Sequence, residues 1–461
     1  MSWSELRAPL LAFAALFQCA PSSGQHPAAP KSVATPQAAA PIRSTRPSTD
    51  AGQPLPADKA PCAALALRVE ALPPSTIGKQ DVAIADDGDR GLRAFHEKLA
   101  ALSRAPKERL VRVAFYGDSN LTLDQLSGTL RRKLQGQFGD GGHGFVGVGS
   151  PWRGYRHQDV QRQMVGHWET YIFTRGAKPR VGGFGASGMS AATGEPGAKM
   201  KLGTAKAGAS VGTKATQLIV FYTRHAKGGR FRIRVDGAEA AVIETQSAVS
   251  ESTHVAVPME DAAHAVAIEN VDRKFVHLLG TVLERPHGLV VDTLAVTGAT
   301  YGAIAKLDEE SVRPMLAARH HDLVLFMLGT NFWNSAENLA GLDTMVARHR
   351  ASNPSVSILI VGPPDHVRTK TSTQSDPRVV RVIDELRNAA REKGLAYWDL
   401  RAAMGGDGSM RDFYYKGLAG KDLYHLTEKG AGMLGERLAH ALLRSHAAYL
   451  ERQPTAGCSV N

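Results

Sequence analysis

The feature that most constrains this chain is a change of rhythm along it. Between about 165 and 286, short stretches alternate apolar and polar residues, as in Phe231-Arg232-Ile233-Arg234-Val235, and Gly-Gly and Asp-Gly pairs punctuate them. A period of two places one side of each stretch in a core and the other in water, and Asp-Gly suits a tight hairpin, so this region reads as antiparallel β-structure. The expected strands are Thr216 to Thr223, Arg230 to Asp236, Ala240 to Thr245, His264 to Glu269 and Val276 to Glu284, enough for a sandwich or jelly roll. On either side the rhythm differs. Leu110 to Tyr116 reads as a buried strand, followed after a tight turn by a helix with Leu123, Leu126, Leu130 and Leu134 on one face. Later, Gly288 to Val296, His321 to Leu328, Val356 to Gly362 and Leu395 to Asp399 read as strands with helical patterns between them, and Thr427 to Ala447 as a last helix. Strand-helix alternation implies a parallel sheet covered on both faces. The expected architecture is therefore an α/β domain interrupted by an inserted antiparallel β-sandwich, jelly-roll-like in character, and no internal repeat is evident.

At 461 residues, with 43% apolar and 21% charged content, the chain has room for two or three globular domains. Its first segment is different. Met1 to Gln25 carries one early cation, Arg7, then the apolar run Leu10 to Phe17, then polar turn-formers, which is the layout of an export signal. That run is far shorter than the roughly 20 residues needed to cross a bilayer, so membrane attachment would have to be terminal. Cys19 follows Leu16-Phe17-Gln18, which resembles a bacterial lipobox except that Gln18 stands where a small residue is usual; lipidation of Cys19 and simple cleavage nearby both remain open. Ala20 to Pro61 is rich in Ala, Pro, Ser, Thr and Gln and cannot offset the entropy of ordering, so it reads as a tether. The domain scheme is an export or lipoprotein signal over 1–25, a disordered tether over 26–61, an α/β domain over 62–164 and 287–461, and the insert over 165–286. An exported chain left with Cys62 and Cys458 near the two ends of its folded part is expected to pair them.

The chain has 55 Lys plus Arg against 44 Asp plus Glu, a formal charge of +11, which suits an anionic polymer or surface. Nucleic acid is not the expected partner, because the basic residues are dispersed and no helix-turn-helix, zinc-knuckle or aromatic RNA-binding pattern accompanies them.

Three short blocks carry chemistry. Gly117-Asp118-Ser119-Asn120 lies where the first strand gives way to the first helix, placing a serine at the carboxyl edge of the sheet and its N–H at a helix N-terminus. Leu328-Gly329-Thr330-Asn331 ends a later strand and brings an amide to the same edge. Asp422-Leu423-Tyr424-His425 precedes the last helix and offers a carboxylate and an imidazole three residues apart. In this order and context the blocks resemble those of the SGNH, or GDSL-type, hydrolases, with Asn120 where the name-giving leucine would stand. The resemblance covers roughly 85 to 160 and 287 to 450, and it implies a flavodoxin-like three-layer domain with Ser119, Asp422 and His425 as the catalytic triad. It also implies an oxyanion hole built from the Ser119 N–H, the Asn331 amide and the N–H of a glycine after the second core strand. Gly298 in Val296-Thr297-Gly298-Ala299 is preferred for that glycine because it follows an apolar strand, with Gly185 or Gly188 as the competitors.

Two further stretches, Phe138 to Phe145 and Trp398 to Gly406, resemble the members of this superfamily that deacetylate cell-wall glycans. Peptidoglycan O-acetylesterases are also similar in carrying a carbohydrate-binding-like β module between the serine and asparagine blocks. The implied function is an exported serine esterase, periplasmic or envelope-bound, with an outer-membrane lipoprotein as one form of the latter, acting on an O-acetylated cell-envelope polysaccharide with no metal or other cofactor. A polysaccharide O-acetyltransferase, an acetylxylan-type esterase and a wall-anchored glycan-binding protein with an idle hydrolase fold are the alternatives. His143, His157 and His167 match no closed zinc spacing and are expected to be loop or surface residues. Trp168, Tyr171, Tyr222 and Phe231 are expected in the β core, Lys201, Lys206, Lys214 and Lys227 on a solvated face, and Asp118 in a structural turn role.

Overall fold

A computed structural model describes residues 67–79, 81–332 and 334–453, and the structural statements that follow concern these residues. Cys19, Cys62 and Cys458, with the expected lipidation and pairing, lie outside them. At the centre is a five-stranded parallel sheet in the order Gly288–Ala295, Leu110–Gly117, Leu323–Met327, Ser357–Val361 and Ala396–Trp398. Its strands are buried along nearly their whole length, as parallel strands covered on both faces must be. One face, including Val113, Phe115, Leu325 and Leu359, packs against the helices Arg93–Arg104, Gln125–Phe138 and Glu428–Arg452. The other, including Tyr116, Val324, Phe326 and Ile360, packs against Glu309–Arg319, Ser335–Ser352 and Pro377–Lys393. This is the expected three-layer, flavodoxin-like architecture. The chain steps from the Leu110–Gly117 strand to one neighbour and then to the other, so strand order reverses there, the usual place for a site in an open α/β sheet.

Two expectations about helices change. Leu123 does not join the apolar face of the following helix, which begins only at Gln125; Asp124 has φ 53°, breaking the helical path, and Leu123 is left 37% exposed. For the same reason Ser119 does not sit at a helix N-terminus but in a run of tight turns, with Leu121 N donating to Asp118 O and Asp124 N to Leu121 O. The final helix starts as expected, with the Thr427 hydroxyl accepting from Gly430 N, and continues to Arg452.

The insert, joined by the strands Gly144–Val146 and Val160–Val165 that precede the expected boundary at 165, forms a sandwich of two antiparallel sheets. The first has the order Glu251–Ala262, Ala215–Arg224, Val276–Glu284, Met189–Thr193 and Glu169–Ile172, with Gly144–Val146 also paired to Val276–Glu284. The second runs Val160–Val165, Lys199–Thr204, Ala265–Asn270, Arg230–Val235 and Ala238–Glu244. The five expected strands are all present within one or two residues of their expected ends. The turn after Arg230–Val235 has positive φ at both Asp236 and Gly237, the conformation a two-residue Asp-Gly hairpin needs. Along Ala215–Arg224 the side chains divide by parity: Leu218, Val220 and Tyr222 enter the sandwich core, whereas Ile219 and Phe221 enter the core shared with the α/β domain. The insert is thus fused to the catalytic domain through one sheet. A buried ion cluster crosses that seam, with Arg319 Nη1 2.6 Å from Glu284 and Nε 2.7 Å from Asp292, and His321 Nε2 2.8 Å from Asp292. Buried charges are tolerated when paired and hydrogen-bonded in this way.

Candidate active site

The three expected blocks converge because their strands are neighbours. Gly117 is in register with Ala295 on one side and Met327 on the other, so the loops after these three strands leave the sheet at one level. Gly117 is required there, since a Cβ would lie 2.6 Å from Leu121. Ser119 Oγ is 2.8 Å from His425 Nε2, and His425 Nδ1 is 2.7 Å from Asp422 Oδ2. A carboxylate can only accept, so Nδ1 carries the proton and Nε2 is free to accept from the serine hydroxyl. The His425 and Asp422 side chains are 45% and 53% exposed, so this three-residue chain of hydrogen bonds is open to solvent.

Asp422 and His425 can meet within four residues because Leu423, buried in the core, takes φ 60° and folds the segment back. Asp422 Oδ1 accepts from the N–H groups of Tyr424 and His425 at 3.0 and 3.1 Å. Burial pushes the Asp422 carboxyl up, but the hydrogen bonds from the His425 ring and from these two backbone groups outweigh it and hold it below the ordinary aspartate range. The carboxylate is therefore ionised wherever the imidazole is to act as base.

Asn120 does something the sequence did not suggest. Its Oδ1 accepts from Leu426 N at 3.0 Å and its Nδ2 lies 3.5 Å from Tyr424 O, so the residue after Ser119 grips the backbone on both sides of His425. A leucine could not make either bond. Asp118 is fully buried and accepts from Asn120 N and Thr330 N, tying the serine block to the asparagine block; burial raises its pKa. It has the turn role expected of it.

Val296-Thr297-Gly298-Ala299 is a tight turn closed by Ala299 N donating to Val296 O, with Gly298 at φ 77°. The Asn331 amide nitrogen is 3.5 Å from Ala299 O, beside that turn. The competing glycines are committed elsewhere: Gly185 N donates to Ser311 Oγ and Gly188 N to Gly185 O, where the insert packs on the helix Glu309–Arg319. Around the triad, Thr330, Phe332, His366, Arg378 and Tyr424 line a cleft on one side, with the His366 and Tyr424 rings 4.2 Å apart. On another side Arg156 pairs with Glu428, at the start of the helix that follows His425.

His143 and His157 do come together, with Asp124, but not at the surface: their ring nitrogens are 3.4 Å apart and both are buried. Asp124 is already saturated, accepting from Ser127, Thr293, Gln158 N and Arg131, whose Nη2 is 2.7 Å away. His157 Nε2 bonds Tyr155 Oη at 2.7 Å. A metal there would sit against a buried guanidinium, so the donor set fits a structural network better than a cation. Burial pushes His157 down to about 4, which keeps it neutral. This network braces the start of the helix after Ser119. His167 is exposed and apart from the pair. Tyr171, Tyr222 and Phe231 are buried and Trp168 is half-buried against the same core, while the four lysines are exposed, as expected.

Residues 261–433 match the GDSL-like Lipase/Acylhydrolase family, a stretch that takes in Gly298, Asn331, Asp422 and His425 and leaves out Ser119. No curated protein matches the chain by sequence. A solved structure described as a peptidoglycan O-acetylesterase in action superposes with a TM-score of 0.66 at 24% identity, covering 78% of this chain and 99% of that one. A family two carbohydrate esterase from Clostridium thermocellum in complex with cellohexaose is far more distant, with a TM-score of 0.23 at 11% identity over 56% of this chain and 94% of that one. By its fold and its partial family match, the chain resembles the SGNH, or GDSL-type, hydrolases and, among them, the peptidoglycan O-acetylesterases.

Proposed function

We propose that this chain is an exported serine esterase that removes O-acetyl groups from peptidoglycan or another envelope polysaccharide. The observation that carries the reading is the Ser119–His425–Asp422 relay, with both contacts at hydrogen-bond length, opening at the carboxyl edge of the sheet beside the Gly298 turn and Asn331. Ser119 is too weak an acid to attack unaided. His425 Nε2 takes its proton as Oγ adds to the acetyl carbonyl, and Asp422 holds the ring and offsets the imidazolium charge. The Ser119 and Gly298 N–H groups and the Asn331 amide receive the oxyanion; loss of one such donor typically costs about 10²- to 10³-fold in turnover. The imidazolium then returns its proton to the departing sugar oxygen. Water, deprotonated by the same histidine, releases acetate from the serine.

Three features favour an acetylated glycan. The open triad suits a polymer, the net charge of +11 suits an anionic one, and the superposable solved structure is described as a peptidoglycan O-acetylesterase. Export through residues 1–25, with a lipid on Cys19, would place the enzyme at such a substrate. The test is acetate release from O-acetylated peptidoglycan beside acetylated xylan, with Ser119→Ala as control. The proposal expects release from peptidoglycan that Ser119→Ala abolishes. No acetate from either polymer, with a long-chain ester cleaved instead, would overturn it.

A further inference from the structure

The insert reaches the oxyanion side of the site at one point. Directly after the strand Glu169–Ile172, in a short 3-10 turn over Phe173–Arg175, the Thr174 hydroxyl donates to Thr297 O at 3.0 Å. That carbonyl belongs to the same peptide unit as the Gly298 N–H. Peptide units are planar and trans, so C=O and N–H point in opposite directions, and fixing one fixes the other.

The turn makes this consequential. Its closing bond runs from Ala299 N to Val296 O, Gly298 at its third position has positive φ, and Thr297 at its second does not, which defines a type II turn. Types I and II differ chiefly by a flip of the central peptide, here Thr297–Gly298. Glycine at the third position tolerates both forms, so the glycine itself does not choose between them. Crowding does not choose either: a Cβ on Gly298 would meet nothing closer than Thr174 itself, at 3.9 Å. Among the described residues the Gly298 N–H has no protein acceptor, so nothing on that side holds the peptide in place.

We propose that Thr174, supplied by the insert, is a positioning residue for catalysis: its hydroxyl holds the Thr297–Gly298 peptide in the type II orientation and so keeps the Gly298 N–H aimed at the acyl oxygen. This rests on the oxyanion role given to Gly298 above and adds to it a reason for the insert to touch the hydrolase at this turn. Donation to the carbonyl also polarises the peptide, strengthening its N–H as a donor. The benefit falls on the charged tetrahedral state more than on the bound ester, so it is a kcat effect.

The experiment compares Thr174→Val, which keeps the shape and loses the hydroxyl, with Thr174→Ser, which keeps the hydroxyl, using p-nitrophenyl acetate and the full chain. Thr174 is exposed, and thermal melts verify that both variants fold. Thr174→Val is expected to lower kcat roughly 10-fold, a fraction of what outright loss of an oxyanion donor costs, with KM within about twofold and the pH profile unmoved. Thr174→Ser is expected to restore at least half of the wild-type kcat. An unchanged kcat in Thr174→Val, a loss confined to KM, or a serine variant as impaired as the valine one would each overturn the proposal. Ser119→Ala, run alongside, separates the two levels. Full activity in that variant defeats the catalytic reading itself, whereas an inactive Ser119→Ala beside a fully active Thr174→Val defeats only the role of Thr174.

Discussion

The two sheets of the insert have similar strand numbers, but their inner strands differ in burial. The strand Val276–Glu284 is buried at all nine positions, because the sandwich core covers one face of its sheet and the α/β domain the other. In the second sheet, Ala265–Asn270 alternates buried with partly or fully exposed positions, and the edge strand Ala238–Glu244 has no buried residue. The inner strands of the first sheet are therefore part of the hydrolase core as much as of the insert, whereas its edge strand Glu251–Ala262 and the second sheet face solvent. The site reflects this division, since Thr174, on the loop after a strand of the first sheet, contacts the turn that carries Gly298.

A cavity introduced into the shared core is expected to have the largest effect. Leu279 is fully buried on the α/β side of the first sheet, close to Gly185 and Met315. Leu279→Ala is expected to cost about 2–5 kcal/mol in a denaturant melt and to lower esterase activity with it. A variant that lost little stability and kept full activity would argue that the insert folds apart from the hydrolase.

A smaller effect comes from pH, where the two sheets carry histidines of opposite sign. His277, buried in the first sheet with Nδ1 2.9 Å from Thr223 Oγ1, is pushed down to about 3 by burial and, less strongly, by His225. Its unfolded form binds a proton near pH 6.5 and its folded form does not, so the stability it supports is present above that pH and is lost as pH falls toward 3. At pH 5 that loss reaches about 2 kcal/mol. His264, just before the second-sheet strand Ala265–Asn270, is lowered by its partial burial, but the Glu260 carbonyl and the Asp236 carboxylate outweigh this and raise it. Its contribution is present below the unfolded pKa and is lost as pH rises through the folded one. Melting temperature measured at pH 7 and pH 5 should accordingly fall on acidification, less in His277→Gln than in wild type and more in His264→Gln. The reverse ranking would contradict the assignment.

The smallest effect is expected on the outer edge of the second sheet. Val242, on the outer edge strand, is 43% exposed. Val242→Ala should stay within about 0.5 kcal/mol of wild type and leave turnover unchanged.

What the sequence revealed and what it hid follow from the range of the interactions involved. Apart from Lys199–Thr204, which alternates but was not among the expected strands, the strand-helix rhythm, the hairpin alternation and the three blocks that meet at the candidate site depend on residues close together in the chain and were legible. Short strands without alternation were not: Gly144–Val146 becomes a strand only because Val276–Glu284 lies beside it, more than a hundred residues later. Glu251–Ala262 was hidden by Pro258, which that strand accommodates at the edge of its sheet with a break in register. Within the site, Ser119, Asp422 and His425 could be named, but not the grip of Asn120 on the backbone around His425. The one signal was a polar residue standing where leucine gives the family its name. The Arg319–Glu284–Asp292 cluster joins three elements whose charges carried no mark of partnership in the sequence.

The central claim, that Ser119 is a nucleophile activated by His425, is tested most directly by covalent trapping. The full chain is treated with a fluorophosphonate ester, digested, and its peptides are analysed by mass spectrometry, with His425→Ala run in parallel. A single adduct on Ser119 that His425→Ala suppresses is the predicted result. An adduct on another residue, or equal labelling of Ser119 without the histidine, would contradict the account.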